Sequence, residues 1–266
     1  MNDYMIRGGQ SGKTRLDYLD LAYRSSTAAL LERCGVGPGL RCLDLGCGGG
    51  HATRQLARAV GPSGSVVGVD TDVEILGLAR RDTDAAGLSN VEFRDGNANE
   101  LGEGSYDVVY ARLLLTHLRD PAELVKRMAA ATRPGGAVIV EDIDWDGAFC
   151  YPPSAAFDRY WRMHEALHRR RGGDPRVGPK LPGLLRAAGL RDVGLSVVQP
   201  VHQDGDAKLV HYLTLQNIAP AARDEGLLGE READELLRDL GRLTEDPAVL
   251  LGLPRTFQVW GTTAVD

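Results

Sequence analysis

The stretch Arg41-Cys-Leu-Asp-Leu-Gly-Cys-Gly-Gly-Gly50, followed by His51 and apolar residues at helical spacing as far as Val60, decides the fold. A short apolar run that breaks into glycines at 46, 48 and 50 reads as a buried strand turning sharply into a helix. Glycine permits that turn and lets backbone N–H groups approach a ligand more closely than a residue with a Cβ would. The turn is therefore of the nucleotide-binding type. A dinucleotide turn of the form G-x-G-x-x-G requires glycine where His51 stands. Asp44, two residues before Gly46, places a carboxylate that repels a diphosphate and attracts a cation. The turn favours a positively charged sulfonium over NAD.

Working outward, β-branched runs alternate with stretches of helical spacing, as expected of a parallel sheet with crossover helices. Ser65–Asp70 reads as a second strand, followed by a helix over Val73–Ala86. Val91–Arg94 is a third strand and Tyr106–Ala111 a fourth. A helix opens at Pro121, where the missing N–H costs nothing, and Ala137–Ile143 is a fifth strand. Beyond Trp145 the rhythm changes. A helix of about 17 residues is expected from Ser154, then a shorter one over Pro182–Ala188, a strand over Val193–Val201 and a last strand over Thr256–Trp260. Ligands of open parallel sheets bind beyond the carboxyl ends of the strands, so Asp70, Gly96-Asn97-Ala98, Arg112, His117 and Asp142 gather at one rim. A carboxylate at position 70 can accept both hydroxyls of a ribose, and the Asn97 side chain offers a donor and an acceptor to an adenine edge.

The composition agrees with one α/β domain over residues 1–266: 43% hydrophobic, 26% charged, with a formal net charge of −6. Disorder is excluded on these values. The acidic balance disfavours nucleic acid as a partner. The segment Met1–Gln10 lacks an apolar leader core and no stretch is long enough to span a membrane, so a cytoplasmic protein with no membrane partner is expected. Cys34, Cys42, Cys47 and Cys150 form no C-x-x-C pair and read as buried thiols of a reducing compartment.

The chain strongly resembles the class I S-adenosylmethionine-dependent methyltransferases. The matching residues are Asp44-Leu-Gly-Cys-Gly-Gly-Gly50, Val69-Asp70, Gly96-Asn97-Ala98 where the family often shows Gly-Asp-Ala, Tyr106-Asp107-Val-Val with Leu-Leu-Thr-His117-Leu, and Arg133-Pro-Gly-Gly136. The resemblance spans about residues 36 to 144 and implies a doubly wound, seven-stranded, mostly parallel sheet. It implies S-adenosyl-L-methionine as cofactor and S-adenosyl-L-homocysteine as product. By resemblance Gly46, Cys47 and Gly48 face the methionine part, Asp70 and Thr71 the ribose, Asn97 and Ala98 the adenine, and Arg112 the middle of the cofactor through its backbone. It also suggests an N-terminal helical cap over residues 1–35, with a frayed terminus as the alternative, and a cofactor core over 36–145; the late helical stretches at 146–190 and 202–255 read as lid insertions over the single sheet. A small-molecule substrate of specialised metabolism follows from that layout, with O-methylation ahead of N- or C-methylation. An exposed insertion face could pair two chains as a homodimer. A rearrangement or cyclisation enzyme, or a cofactor-sensing binding protein, would share this fold without methylating.

Three further patterns require weighing. Gly8-Gly-Gln-Ser-Gly-Lys13-Thr resembles a phosphate loop, but Arg7 occupies its first glycine position and no strand precedes it. His164-Glu-Ala-Leu-His168 matches the zinc motif H-E-x-x-H yet lacks a third ligand downstream, so no metal is expected. The helix that carries it sets Phe157, Trp161, His164 and His168 on one stripe beside Ala156, Tyr160, Met163 and Leu167. It reads as a packing helix or a substrate wall. His117 is the candidate general base, because imidazole titrates near neutrality. Asp142 is the carboxylate that would orient an acceptor, and Trp145 would stack on an aromatic or hold a cation.

Overall fold

The structure is a computed structural model that describes residues 9–96 and 103–265. A long helix, α1 (Gly9–Arg33), precedes a regular alternation: β1 (Arg41–Leu45), α2 (His51–Val60), β2 (Ser65–Asp70), α3 (Val73–Ala85), β3 (Val91–Asp95), β4 (Tyr106–Arg112), α4 (Pro121–Ala131) and β5 (Thr132–Asp144). The second half contains β6 (Phe149–Tyr151), α5 (Ala155–Arg170), α6 (Leu181–Ala187), β7 (Arg191–Val198), β8 (Val201–His202), α7 (Val210–Asp224), α8 (Glu230–Glu245), β9 (Leu250–Gly252) and β10 (Arg255–Thr262).

Seven strands form one sheet in the order β3-β2-β1-β4-β5-β10-β7. The first five are parallel, and β10 runs antiparallel to both β5 and β7. The chain winds outward from β1 to β3 and then crosses back to lay β4 on the other side of β1. That reversal opens the crevice at the carboxyl ends of β1 and β4 in which open α/β sheets bind ligands.

The period of two along each strand places alternate residues in two cores. Cys42, Val108 and Ile139 pack with α1 and α2 through Leu30, Leu56 and Val60. Leu43, Val109, Val138 and Val140 pack on the opposite face with Leu124 and Met128 of α4 and Leu181 and Leu185 of α6. Asp120 caps α4 by accepting the Glu123 N–H at 3.0 Å, with Pro121 in the first turn. A third core lies above the sheet, where Tyr160, Met163 and Leu167 of α5 meet Leu215 and Ile218 of α7 and Leu236 and Leu240 of α8.

The structure departs from the sequence reading in three places. The segment 146–190, expected as one insertion, divides in the structure: α6 packs on the sheet through Leu181 and Leu185, while α5 packs with α7 and α8. The strand expected over Val193–Val201 is two: β7 stops at Val198, because Pro200 has no N–H to continue a ladder. Val201–His202 then joins β9 and β6 in a separate sheet of order β6-β9-β8. The turn Arg133–Gly136 lies inside β5, as an irregularity in its pairing with β4. Among the described residues no helix is long and apolar enough to cross a membrane.

Candidate functional site

A cavity of about 480 Å³ opens at the carboxyl ends of β1 and β4 and runs under α1 to the inner face of α5 and α7. At one end lies the glycine turn. Gly46 and Gly48 hold φ of 66° and 48°, a region that costs an L-residue about 1–2 kcal/mol. Backbone N–H groups of Gly46 and Cys47 both donate to the Val69 carbonyl, at 2.9 and 3.1 Å, which fixes the turn against β2. A Cβ on Gly46 would come within 2.9 Å of Leu114 Cδ1, and one on Gly48 within 3.1 Å of Leu16. The turn is thus a cradle that side chains would fill. Gly46→Ala is expected to weaken cofactor binding about tenfold by calorimetry. Gly61→Ala, with a φ of 63° and open space around it, also meets backbone strain but lies away from the cavity and should leave affinity unchanged.

Two carboxylates flank the cradle. Asp70 accepts the Gly48 N–H at 2.8 Å on one oxygen and the Asp72 N–H at 3.0 Å on the other, so it ties the turn to the end of β2. Burial raises its pKa. Asp44 accepts the Thr53 hydroxyl at 2.6 Å, and burial pushes its carboxyl up to about 7. Thr71, Cys47 and Gly96 line the same end. Asn97 and Ala98 lie outside the described residues. At the end of β4, Arg112 lines the cavity while its guanidinium reaches away to Asp20 and Thr27 of α1, each at 3.2 Å. The next residue, Leu113, holds a φ of 55°. A strained non-glycine residue at a cavity wall marks a position that the surroundings over-determine, and nothing in the sequence signals it.

The roof is α1. Arg15, Leu16 and Tyr23 line the cavity, and the helix is latched at several points. His51 meets Asp17 at 2.7 Å, Lys13 pairs with Asp17 and with Asp82 of α3, and Arg15 donates to Thr214 of α7 at 2.9 Å. The lysine of the phosphate-loop lookalike is thus a buried helix anchor. A second tie is a buried network in which Glu141 accepts from Thr27 of α1 at 2.8 Å, from Gln258 of β10 at 2.8 Å, and from Tyr110 of β4.

The far end is aromatic. Trp145 lies 4.3 Å from His164, 4.7 Å from His168 and 5.1 Å from Trp161, measured between ring centroids. His168 Nε2 meets the Thr116 carbonyl at 2.8 Å; a carbonyl only accepts, so this nitrogen carries the proton. The two histidines of H-E-x-x-H therefore serve the cavity wall, and Glu165 pairs instead with Arg176 and Arg169. Among the described residues no group of three His, Cys, Asp or Glu side chains is placed to hold a metal.

Two candidate catalytic residues stand differently from the sequence expectation. His117 lines the cavity, but burial, with the nearby His168, holds its pKa well below the usual imidazole range, so it does not titrate near neutrality. Asp142 is not in the cavity lining. It is fully buried and accepts the N–H groups of Thr116 at 3.1 Å and Ile143 at 2.9 Å, which fixes the turn that carries His117. Burial raises its carboxyl to about 7. Its role is to position that turn. The sequence reading missed Tyr23, His211 and Thr214, which line the cavity from helices whose spacing carries no functional signature.

A family profile described as a methyltransferase domain matches residues 37–168. An uncharacterized 37.1 kDa protein in a transposon of Streptomyces fradiae is 32% identical over 186 residues, covering 70% of this chain and 53% of that protein. A demethylmenaquinone methyltransferase of Bacillus cytotoxicus is 36% identical over 120 residues, 44% of this chain and 49% of the relative. The chain thus spans about half the length of these two curated relatives. Among solved structures, a putative methyltransferase from Bacillus halodurans superposes with a TM-score of 0.60 at 17% identity, covering 91% of this chain and all of that one, which bears on the fold alone. With the seven-stranded order, the glycine cradle and the two carboxylates that flank it, the chain belongs to the class I S-adenosylmethionine-dependent methyltransferases.

Proposed function

We propose that the chain moves the methyl group of S-adenosylmethionine to a small molecule held at the aromatic end of the cavity, with oxygen favoured over nitrogen or carbon as acceptor. The observation that carries the proposal is the continuity of one cavity from Asp70 and the glycine cradle to Trp145 and His164. When bound, the cofactor supplies a methyl on a sulfonium whose C–S electron pair stays with sulfur as the acceptor oxygen takes the carbon.

The protein's own contribution is alignment and exclusion of water, which can supply much of the rate in a displacement whose leaving group is already activated. Asp70 fixes the cradle, and Asp44 places a negative charge beside it. The α1 roof closes the cavity from above. His117 lines the cavity and is neutral in its buried setting, so it orients the acceptor's hydroxyl rather than storing its proton, which leaves to solvent with the methylated product. Asp142 holds the turn on which His117 sits.

Calorimetric titration with S-adenosylmethionine, S-adenosylhomocysteine and NAD in parallel tests the reading. Binding of both adenosyl ligands without NAD supports it, and binding of NAD alone overturns it. A pH series gives a sharper expectation. With its pKa near 7, Asp44 is about one-tenth ionised at pH 6 and about nine-tenths at pH 8. A cation binds the ionised form, so affinity for S-adenosylmethionine should rise about tenfold between these values. S-adenosylhomocysteine, without the sulfonium charge, should change less. Asp44→Asn should abolish the difference, while an unchanged pH profile in that variant would place the charge recognition elsewhere.

A further inference from the structure

The aromatic end of the cavity has a hydrogen-bonding pattern that selects among acceptors. Trp161 and His164 are nearly parallel, with 24° between their planes, and Trp145 stands edge-on to Trp161 at 66°. Together they make a wall suited to a flat unsaturated guest. Several polar atoms of this wall are buried and have no hydrogen-bond partner among the described residues: Trp145 Nε1, Trp161 Nε1, both ring nitrogens of His164, and His211 Nε2. Native proteins leave few such groups without a partner, and in a ligand cavity the ligand is the natural one.

The chemistry of these atoms is specific. Indole nitrogens only donate. Burial keeps His164 well below its usual pKa and brings His211 down to about 3, so both rings are neutral, each with one N–H and one lone pair. His211 engages the Gly252 carbonyl through its other nitrogen, which leaves Nε2 as the lone pair. Trp145, Trp161, His164 and His211 all line the cavity, and the groups they leave without a partner are the N–H groups of two indoles and one imidazole, and lone pairs on His164 and His211. A hydroxyl, which both accepts and donates, matches this mixture, whereas an ammonium group brings donors only. Charge points the same way. The Arg15 guanidinium lies close enough to lower the basicity of both His117 and His164, so a cationic guest meets repulsion at this end and an oxygen close to ionisation is welcomed.

We infer that the acceptor is a hydroxylated aromatic of the phenol class, lying on the Trp145–Trp161–His164 wall with its hydroxyl between the indole N–H groups and the imidazole lone pairs, and turned toward Arg15. The inference rests on the methyl-transfer reading for its consequence, but the binding site it describes is testable without turnover.

Equilibrium dialysis with 2-naphthol, naphthalene and phenyltrimethylammonium, on the full chain with and without saturating S-adenosylhomocysteine, distinguishes the alternatives. The expected result is 2-naphthol binding about tenfold or more tighter than naphthalene, a difference of the size that a satisfied buried polar group confers. Trp161→Phe and Trp145→Phe keep an aromatic face and lose the donor. Each should erase most of the preference for 2-naphthol, read as the ratio of 2-naphthol to naphthalene affinity within the same variant so that the aromatic area lost cancels. Equal affinity for naphthalene and 2-naphthol, stronger binding of phenyltrimethylammonium, or no aromatic binding to protein that binds S-adenosylhomocysteine would each overturn the inference. Protein that prefers 2-naphthol but does not bind S-adenosylhomocysteine would retain the aromatic site and overturn the methyl-transfer reading instead.

Discussion

Asp70→Ala is expected to weaken binding of S-adenosylmethionine and S-adenosylhomocysteine by about a hundredfold or more, with the fold retained. Two effects add. The carboxylate oxygens accept the Gly48 and Asp72 N–H groups, and a charge-assisted hydrogen bond contributes about 1.5–3 kcal/mol. Without them the cradle loses its tie to β2 and relaxes away from the shape that admits the ligand. The carboxylate also lines the cavity where a ribose would offer its hydroxyls. Asp70→Asn keeps one acceptor and should lie between the two. Calorimetry gives the affinities and far-ultraviolet circular dichroism checks the fold; wild-type affinity in Asp70→Ala would remove Asp70 from the cofactor site.

The largest effect on stability is expected at Glu141. Its carboxylate is fully buried and accepts from Thr27, Tyr110 and Gln258, which belong to the roof helix, β4 and β10. Glu141→Ala leaves these donors unsatisfied together, and removing one partner from a buried charged network costs about 3–5 kcal/mol. At about 2–4 °C per kcal/mol for a chain of this size, the melting midpoint should fall by roughly 10 °C or more. Glu141→Gln preserves shape and one acceptor and should fall by less than half as much. Because Arg112 and Thr27 hold α1 through the same network, cofactor affinity should drop along with the midpoint. A thermal melt of Glu141→Ala within 2 °C of the parent, about the instrument's spread for a change under 1 kcal/mol, would show that the network carries little.

The glycine end of the cavity was legible in the sequence because its pattern is local. Gly46, Gly48 and Asp44 lie within a few residues of one another, and Asp70 follows at the next strand end, so the pattern survives without knowledge of packing. The alternating strands were legible for the same reason, since Cys42 and Leu43, or Val108 and Val109, divide cleanly between two faces. The aromatic end was half legible. The stripe Trp161, His164, His168 follows from helical spacing, but its partners Trp145 and His211 come from separate elements. Asp142 shows the limit most plainly. Its place at a strand end suggested the cavity, and the direction of its side chain, which only the packed turn of Thr116 determines, took it away. The sheet of β6, β8 and β9 was invisible because strands of two or three residues are too short to show a period of two.

The position of β10 has a consequence for how the chain is made. From Arg255↔Asp144 to Thr262↔Ala137 it pairs along β5, and on its other side it pairs with β7. Strand β5, whose Val138, Ile139 and Val140 are fully buried, thus leaves the ribosome long before the strand that completes it. During that interval an apolar edge stands open, and unpaired edges of this kind are sites for aggregation. Pairings this distant in sequence also form slowly. A chain cut before Arg255 should collect as insoluble material even though the glycine cradle and both of its carboxylates are intact, so the yield of soluble protein is governed by residues that never touch the ligand.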